Sequence, residues 1–148
     1  MPCDRGIWPS AEAILVKLRL GRIALAAVLA EVAGILALVV LVGIFGPPGF
    51  KQAQPFAERL GVGVGPISGF LLCMYGGYWV GRSAAPNYLA NGVAVGLAGA
   101  FRDAASAIAL GGSFHVLLVV SNLGRIAGGL IGGLLASRAR RGAQSVAA

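Results

Sequence analysis

The sequence has little charge for its length. Of its 148 residues, 11% are charged and only five are acidic, whereas 57% are hydrophobic. Soluble globular domains carry about 25% charged residues, and the mean hydropathy of this chain is +0.84. Because a soluble domain of this size has no core large enough for so many apolar side chains, the composition predicts an integral membrane protein whose main partner is the lipid bilayer.

Residues that bind metals or form disulfides are also scarce. The chain contains two cysteines and one histidine. Cys3 and Cys73 show no Cys-x-x-Cys or Cys/His spacing, and His115 stands alone, so neither a disulfide framework nor a metal centre is predicted. There is no P-loop and no Ser/His/Asp constellation. We therefore expect no cofactor, no metal site and no catalytic residues, and we do not expect an enzyme.

Because acidic residues are few, the formal net charge is +7. Such a charge can indicate nucleic-acid binding, which needs a basic patch on one face of a folded module. Here the basic residues instead flank the apolar segments. We expect no nucleic-acid partner, and we interpret the positive charge as a signal of membrane topology.

Four apolar segments are long enough to cross a bilayer, which takes about 20 helical residues. They predict an all-α fold, an integral membrane four-helix bundle that forms a single domain over residues 1–148. The predicted spans are about 23–45, 62–80, 88–110 and 114–136, preceded by residues 1–22 and followed by a tail, 137–148. The one long connection, 46–61, fits either a short helix on the membrane surface or a substrate lid.

The orientation follows from the basic residues, because Lys and Arg near the ends of spans are retained on the cytoplasmic side. The N-terminal segment, the second connection and the tail carry eight of them, whereas the first connection carries two, Lys51 and Arg59. The eight are Arg5, Lys17, Arg19, Arg22, Arg82, Arg138, Arg140 and Arg141. The N-terminal segment and the tail are therefore both predicted to be cytoplasmic.

Glycine is abundant, with 24 residues, and many recur at every fourth position of a span. This spacing places them on one helix face, where small residues let helices pack closely in lipid. Such faces serve either packing within one bundle, or self-association as a homo-oligomer and assembly into a larger membrane complex. The predicted packing residues are Gly65, Gly69, Gly77 and Gly81 in the second span, Gly92 and Gly96 in the third, and Gly124, Gly128 and Gly132 in the fourth.

The two halves of the chain have a similar layout. Each begins with a span that contains an acid, Glu31 or Asp103, and ends with a span that contains glycine pairs. This layout is compatible with an internal repeat, in which the bundle would consist of two parallel helical hairpins.

Four ionisable residues lie within the spans, and each costs roughly 3 kcal/mol there unless it is paired or hydrated. They are Glu31, Arg102, Asp103 and Arg125. At a rise of 1.5 Å per residue they lie about 12 to 21 Å from the cytoplasmic ends, in one layer. Two interpretations remain open: a buried charge network that fixes helix register, or a site for an ion, a proton or a substrate. We expect Glu31 to pair with Arg125, and Asp103 is the rival partner.

Two segments resemble known families. Ala30-Glu31-Val32-Ala33-Gly34, preceded by Ala27-Val28-Leu29, resembles the first helix of small multidrug resistance transporters, which implies that Glu31 binds protons and cationic drugs in exchange. Gly76-Gly77-Tyr78-x-x-Gly81-Arg82, followed by Asn91-Gly92-x-x-x-Gly96, is similar to small four-span bacterial membrane proteins of uncharacterised activity. The second resemblance implies a helical hairpin fold and a location in the bacterial inner membrane.

The sequence thus leaves two classes of function. The first is a structural or accessory subunit that self-associates or joins a membrane complex. The second is a small proton-coupled transporter or channel that uses the charged layer. Charges closed off in dry pairs would favour the first, and charges lining a hydrated cavity that opens to one side would favour the second.

Overall fold

The computed structural model describes residues 18–109 and 116–146. These residues form four helices, each long and apolar enough to cross a membrane. The predicted all-α fold, a bundle of four membrane-spanning helices, is confirmed. Leu110, the third connection and His115 lie outside the described residues. The helices are α1 (Leu20–Phe45), α2 (Phe50–Arg82), α3 (Tyr88–Ala109) and α4 (Val116–Val146).

Helix α2 is longer than the predicted span. It has 33 residues and begins at Phe50, so most of the connection predicted over 46–61 is helical. The turn is confined to residues 46–49, where Gly49 has a φ of 105°. Residues 51–60 consist mostly of strong helix formers, and the side chains of Gln54 and Glu58 form a hydrogen bond one turn apart. Their propensity continues the helix through Pro55.

Helices α2 and α3 lie between the other two. Each of them packs against both α1 and α4, whereas the backbones of α1 and α4 make no close contact. Helix α1 begins beside the start of α3, where the backbone N–H of Arg19 donates to the side-chain oxygen of Asn91, 3.1 Å away. This bond satisfies a donor at a helix N-terminus, and Asn91 itself is fully buried. The start of α1 is thereby fixed to the start of α3.

Glycines bring α2, α3 and α4 into close contact. A Cβ built on Gly77 would lie 2.6 Å from the carbonyl oxygen of Gly129, and one on Gly96 would lie 2.7 Å from that of Arg125. No real Cβ atom is accommodated at such distances, so these backbones meet directly. The same is true of Gly92 against Gly129, Gly128 against Phe70, and Gly132 against Met74, whereas the Cβ position of Gly81 faces the side-chain methyl group of Ala136.

Three of the predicted packing glycines lie in other surroundings. Gly65 and Gly124 have no atom within 4 Å of a built Cβ, and the Cβ position of Gly69 faces the side chain of Arg125. The predicted stripe on α2 therefore packs against α4 over Gly77 and Gly81 but not over its first residue. Close helix packing ends about where Gly69 lies.

Burial follows the same division. Among the described residues, none is buried in α1 beyond Ala27, in α2 before Gly69, or in α3 beyond Ala100. The apolar core lies at the end of the bundle where α1 begins, and it includes Val80 and Val95. We call this end the closed half, and we call the opposite end, where α1 ends and α4 begins, the open half.

We predict that one added methyl group separates the two kinds of glycine on α2. Gly77→Ala should lower the thermal unfolding midpoint in detergent, because its Cβ would meet backbone atoms, and overpacking costs roughly 1–3 kcal/mol in protein cores. Gly65→Ala is the matched control on the same face and should not lower the midpoint, because nothing lies within 4 Å of its Cβ and alanine favours the helix. Equal effects of the two substitutions would contradict this account of the interface.

Candidate functional site

Three charged side chains from three helices meet at the boundary between the two halves. Arg125 of α4 lies between Glu31 of α1 and Asp103 of α3. Its Nη1 is 3.4 Å from Oε2 of Glu31, and its Nη2 is 3.0 Å from Oδ1 of Asp103. We call these three residues the charge cluster. The structure therefore brings both candidate partners of Arg125 to the same guanidinium.

The Arg125 side chain crosses the middle of the bundle to reach α1. A Cβ built on Gly69 of α2 would lie 3.0 Å from Nε and 3.2 Å from Cζ of Arg125. On the other side, a Cβ on Gly99 of α3 would lie 3.9 Å from Cδ of Arg125 and 3.0 Å from Sγ of Cys73. Glycine at position 69 thus leaves space for the guanidinium beside α2, whereas a Cβ at position 99 would crowd Cys73 and make only an ordinary contact with Arg125.

Arg102 does not belong to the cluster, although it was predicted in the same charged layer. Within residues 18–109 and 116–146 it forms no ion pair and no hydrogen bond. The physical reason is helical geometry, because consecutive residues point about 100° apart. With Asp103 turned toward Arg125, the neighbouring side chain of Arg102 faces another direction.

The cluster is neither dry nor fully hydrated. Arg125 is only 9% exposed, whereas the side chains of Glu31 and Asp103 are 20% and 22% exposed. Nε of Arg125 is buried without a hydrogen-bond partner among the described residues. Each carboxylate also keeps one oxygen that makes no hydrogen bond within this part of the chain. The cluster thus has both donor and acceptor capacity left over.

The charges do not cancel. One guanidinium faces two carboxylates, which leaves a net charge of −1. An unbalanced charge at this depth in a membrane is expensive. A positively charged group of a ligand at the carboxylates would balance this charge.

A cavity of about 200 Å³ extends from the cluster into the open half, between α1 and α2. The cluster and Gly69 lie at one end of it, and Leu38 and Gly61 lie toward the other. Its walls are mainly apolar. The exception near the cluster is Ser68, whose hydroxyl donates to the carbonyl oxygen of Gly65 at 3.1 Å.

A second cavity, of about 270 Å³, lies on the other side of α2, against α3 and α4. Asp103, Arg125 and Gly65 line both cavities. The open half is therefore hollow on both sides of α2, and the two hollows end at the same charged residues. The charge cluster thus lies where the open half meets the closed half, at the inner end of both of these cavities.

No three His, Cys, Asp or Glu side chains lie close enough to bind a metal ion within the described ranges. His115 lies outside those ranges, so the structure does not place it relative to the cluster. Ser68, Gly99 and the cavities were not among the predicted site features. The spacing of Gly99 with Gly92 and Gly96 marks a helix face, but no sequence signal pairs Gly99 with the side chain of Arg125.

Comparisons with protein-family models, with curated proteins and with solved structures found no match. The charge cluster and the cavities that end on it are therefore the features from which a function can be inferred.

We predict that the two pairings of Arg125 are energetically coupled. Arg125→Gln should lower the thermal unfolding midpoint most, because it leaves two carboxylates without their partner, and a stranded buried charge costs about 3–5 kcal/mol in soluble proteins. Glu31→Gln should lower it less, because Arg125 keeps its pair with Asp103. The double variant should recover part of the loss, as measured by a double-mutant cycle. A second cycle with Asp103→Asn separates the two carboxylates.

Arg102→Gln is the matched control for this cycle, since Arg102 lies next to Asp103 in the chain but contacts neither partner. It should show no coupling with Glu31→Gln. Strict additivity between Glu31→Gln and Arg125→Gln would contradict the pairing.

Proposed function

We propose that the protein is a small proton-coupled transporter, and that the charge cluster is its binding and coupling site. The observation that carries the proposal is that the two cavities lined by cluster residues both lie in the open half. The closed half has cavities too, but no cluster residue lines them, and backbone contacts between glycines hold α2, α3 and α4 together there. Access from one side and closure on the other is the arrangement that alternating access requires of one of its two states.

Part of α2 is suited to move between such states. Gly61, Gly63 and Gly65 alternate immediately before Pro66 within the helix. Glycine weakens a helix by roughly 0.5–1 kcal/mol relative to alanine, and Pro66 has no N–H to bond the carbonyl oxygen of Val62. If residues 61–66 tilt toward α1, they close the cavity between α1 and α2. The part of α2 after Gly69 stays packed against α4 in both states.

The charge balance of the cluster supplies a route for coupling. With two carboxylates and one guanidinium, one proton neutralises the cluster. In the proposed cycle this proton binds Glu31 from the open half, which releases Nη1 of Arg125 and leaves the shorter pair with Asp103. Loss of the proton on the opposite side restores the pair with Glu31. The cycle breaks the pair with Glu31 because that ion pair is the longer of the two, at 3.4 Å against 3.0 Å.

The location that we propose is the bacterial inner membrane, with both termini cytoplasmic. In this orientation the closed half faces the cytoplasm, where the basic ends of the spans lie, and the open half faces outward. The orientation is supported by the distribution of eight basic residues against two. The four apolar helices themselves are compatible with any multi-pass membrane protein.

The other predicted role, an accessory subunit that forms a homo-oligomer or joins a larger complex, stays a prediction. In that role Arg125 would only fix the register of α1, α3 and α4. The distinction is whether water and solute reach the cluster, and the cavities favour access. Self-association is compatible with either role.

Proton movement in proteoliposomes tests the proposal. The purified protein is reconstituted with a trapped pH-sensitive dye, and small solutes are added outside: L-alanine, propionate, ethylamine and glucose. At least one solute should change the lumenal pH beyond its effect on protein-free liposomes, into which propionic acid and ethylamine diffuse unaided. Glu31→Gln should abolish this protein-dependent change, whereas Arg102→Gln should retain it. Proton movement that no solute stimulates, or that Glu31→Gln leaves intact, would contradict the proposal.

A further inference from the structure

We infer that the cavity between α1 and α2 takes a small zwitterion with a short apolar side chain, of the α-amino acid class. The inference rests on the proposed transport function and names its substrate. Four features carry it: the two signs of charge in the cluster, the hydrogen-bonding capacity that the cluster leaves unused, the length of one ion pair, and the size and walls of the cavity.

The carboxylates can accept a positively charged donor. Glu31 uses Oε2 and Asp103 uses Oδ1 toward Arg125, so Oε1 and Oδ2 make no hydrogen bond within the described ranges. Both side chains line the cavity and are about one-fifth exposed. An ammonium group has three donors, enough to bond both free oxygens, while the carboxylate of the zwitterion keeps the net charge of cluster and ligand together at −1.

The guanidinium can bind a negatively charged partner, to which it donates hydrogen bonds. Arg125 is nine-tenths buried and lines the cavity, yet its Nε lacks a hydrogen-bond partner among these residues. Its contact with Glu31, at 3.4 Å, is long for a charge-assisted hydrogen bond, which is typically about 2.7–2.9 Å. A ligand carboxylate that replaced Glu31 at Nη1 would therefore displace the weaker of the two pairs.

An exchange of partners then leaves every charge paired. Arg125 keeps Asp103 and gains the carboxylate of the ligand, while Glu31 gains its ammonium group. A solute with only a positive charge would have to sit beside the guanidinium, and one with only a negative charge would have to sit beside two carboxylates. The cluster thus favours a solute that carries both charges on neighbouring atoms.

The cavity limits the rest of the solute. Its volume of about 200 Å³ is below the range of about 300–1,000 Å³ for pockets that bind drug-sized ligands. Ile35, Leu38 and Val64 line the part beyond the cluster. These walls fit a short aliphatic side chain and offer no partner to a polar one.

Three small solutes test whether the ligand must carry both charges. L-alanine carries both groups, propionate lacks the ammonium group, and ethylamine lacks the carboxylate. L-alanine should raise the thermal unfolding midpoint of the detergent-solubilised protein, with half of the effect at a concentration at least tenfold below that of either other probe. Arg102→Gln should retain this response. An equal response to propionate or ethylamine, or none to L-alanine, would overturn the inference.

A variant that keeps all three charged residues separates loss of the binding site from loss of the fold. Val64→Phe fills the cavity without touching the cluster, so its own unfolding midpoint should stay near that of the wild type while the effect of L-alanine is lost. A full response to L-alanine in a folded Val64→Phe variant would place the ligand elsewhere and would overturn the inferred site.

Counterflow of labelled L-alanine in proteoliposomes separates this inference from the function on which it rests. Counterflow that Glu31→Gln abolishes supports both. Glu31-dependent proton movement stimulated by ethylamine or propionate, without counterflow of L-alanine, would leave the transport function standing and overturn the zwitterion. Absence of every solute-dependent flux would overturn both.

Discussion

The guanidinium of Arg125, on α4, contacts two carboxylates, one on a helix that packs against α4 and one on a helix that does not. Asp103 lies on the adjacent helix α3, whereas Glu31 lies on α1, whose backbone makes no close contact with α4. Gly69 leaves room for this side chain, since a Cβ there would lie 3.0 Å from Nε of Arg125. The position of one arginine thus relates three helices, and it requires that the fourth, α2, present no side chain at Gly69.

The same contact divides the bundle. Below it, α2, α3 and α4 meet backbone to backbone at Gly77, Gly92, Gly96 and Gly129, and the fully buried Val80 and Val95 fill the core. Above it, nothing comparable holds α1 and α2 together. In lipid, close packing rather than hydrophobic burial drives helix association. The half without such packing is consequently the half that can open, and its cavities end on the ionisable groups.

Much of this arrangement could be predicted from the sequence. Long apolar segments determine the helices, and the scarcity of charges within them singled out Glu31, Arg102, Asp103 and Arg125. The pairing of Glu31 with Arg125 followed from their similar depth, and depth is readable because the rise of a helix is fixed. For 46–61 the sequence left open a short helix on the membrane surface or a lid; in the structure the helix formers there belong to α2 itself, which begins at Phe50.

Other features depend on how the helices rotate about their axes, which spacing alone does not determine. Arg102 and Asp103 are equally deep, so only the orientation of α3 decides that Asp103 joins the cluster. Gly65 and Gly77 belong to the same stripe, yet Gly77 packs against α4 and Gly65 lines cavities. The small residues recur regularly over several turns of α2, but α2 touches α4 only up to the point where the two helices diverge.

Water access to the cluster is the most direct test of this account. In a protein whose native cysteines have been replaced, single cysteines are introduced at Leu38 and Val64 in the open half and at Val80 and Val95 in the closed half. Their reaction rates with a membrane-impermeant thiosulfonate reagent are measured in lipid, with the reagent on one side at a time. We expect fast reaction of the first two from the outer side only, and little reaction of the other two from either side. If Leu38 and Val64 cysteines react as slowly as the closed-half pair from both sides, the charges are sealed, and the cluster is a structural ion-pair network rather than the floor of an accessible site.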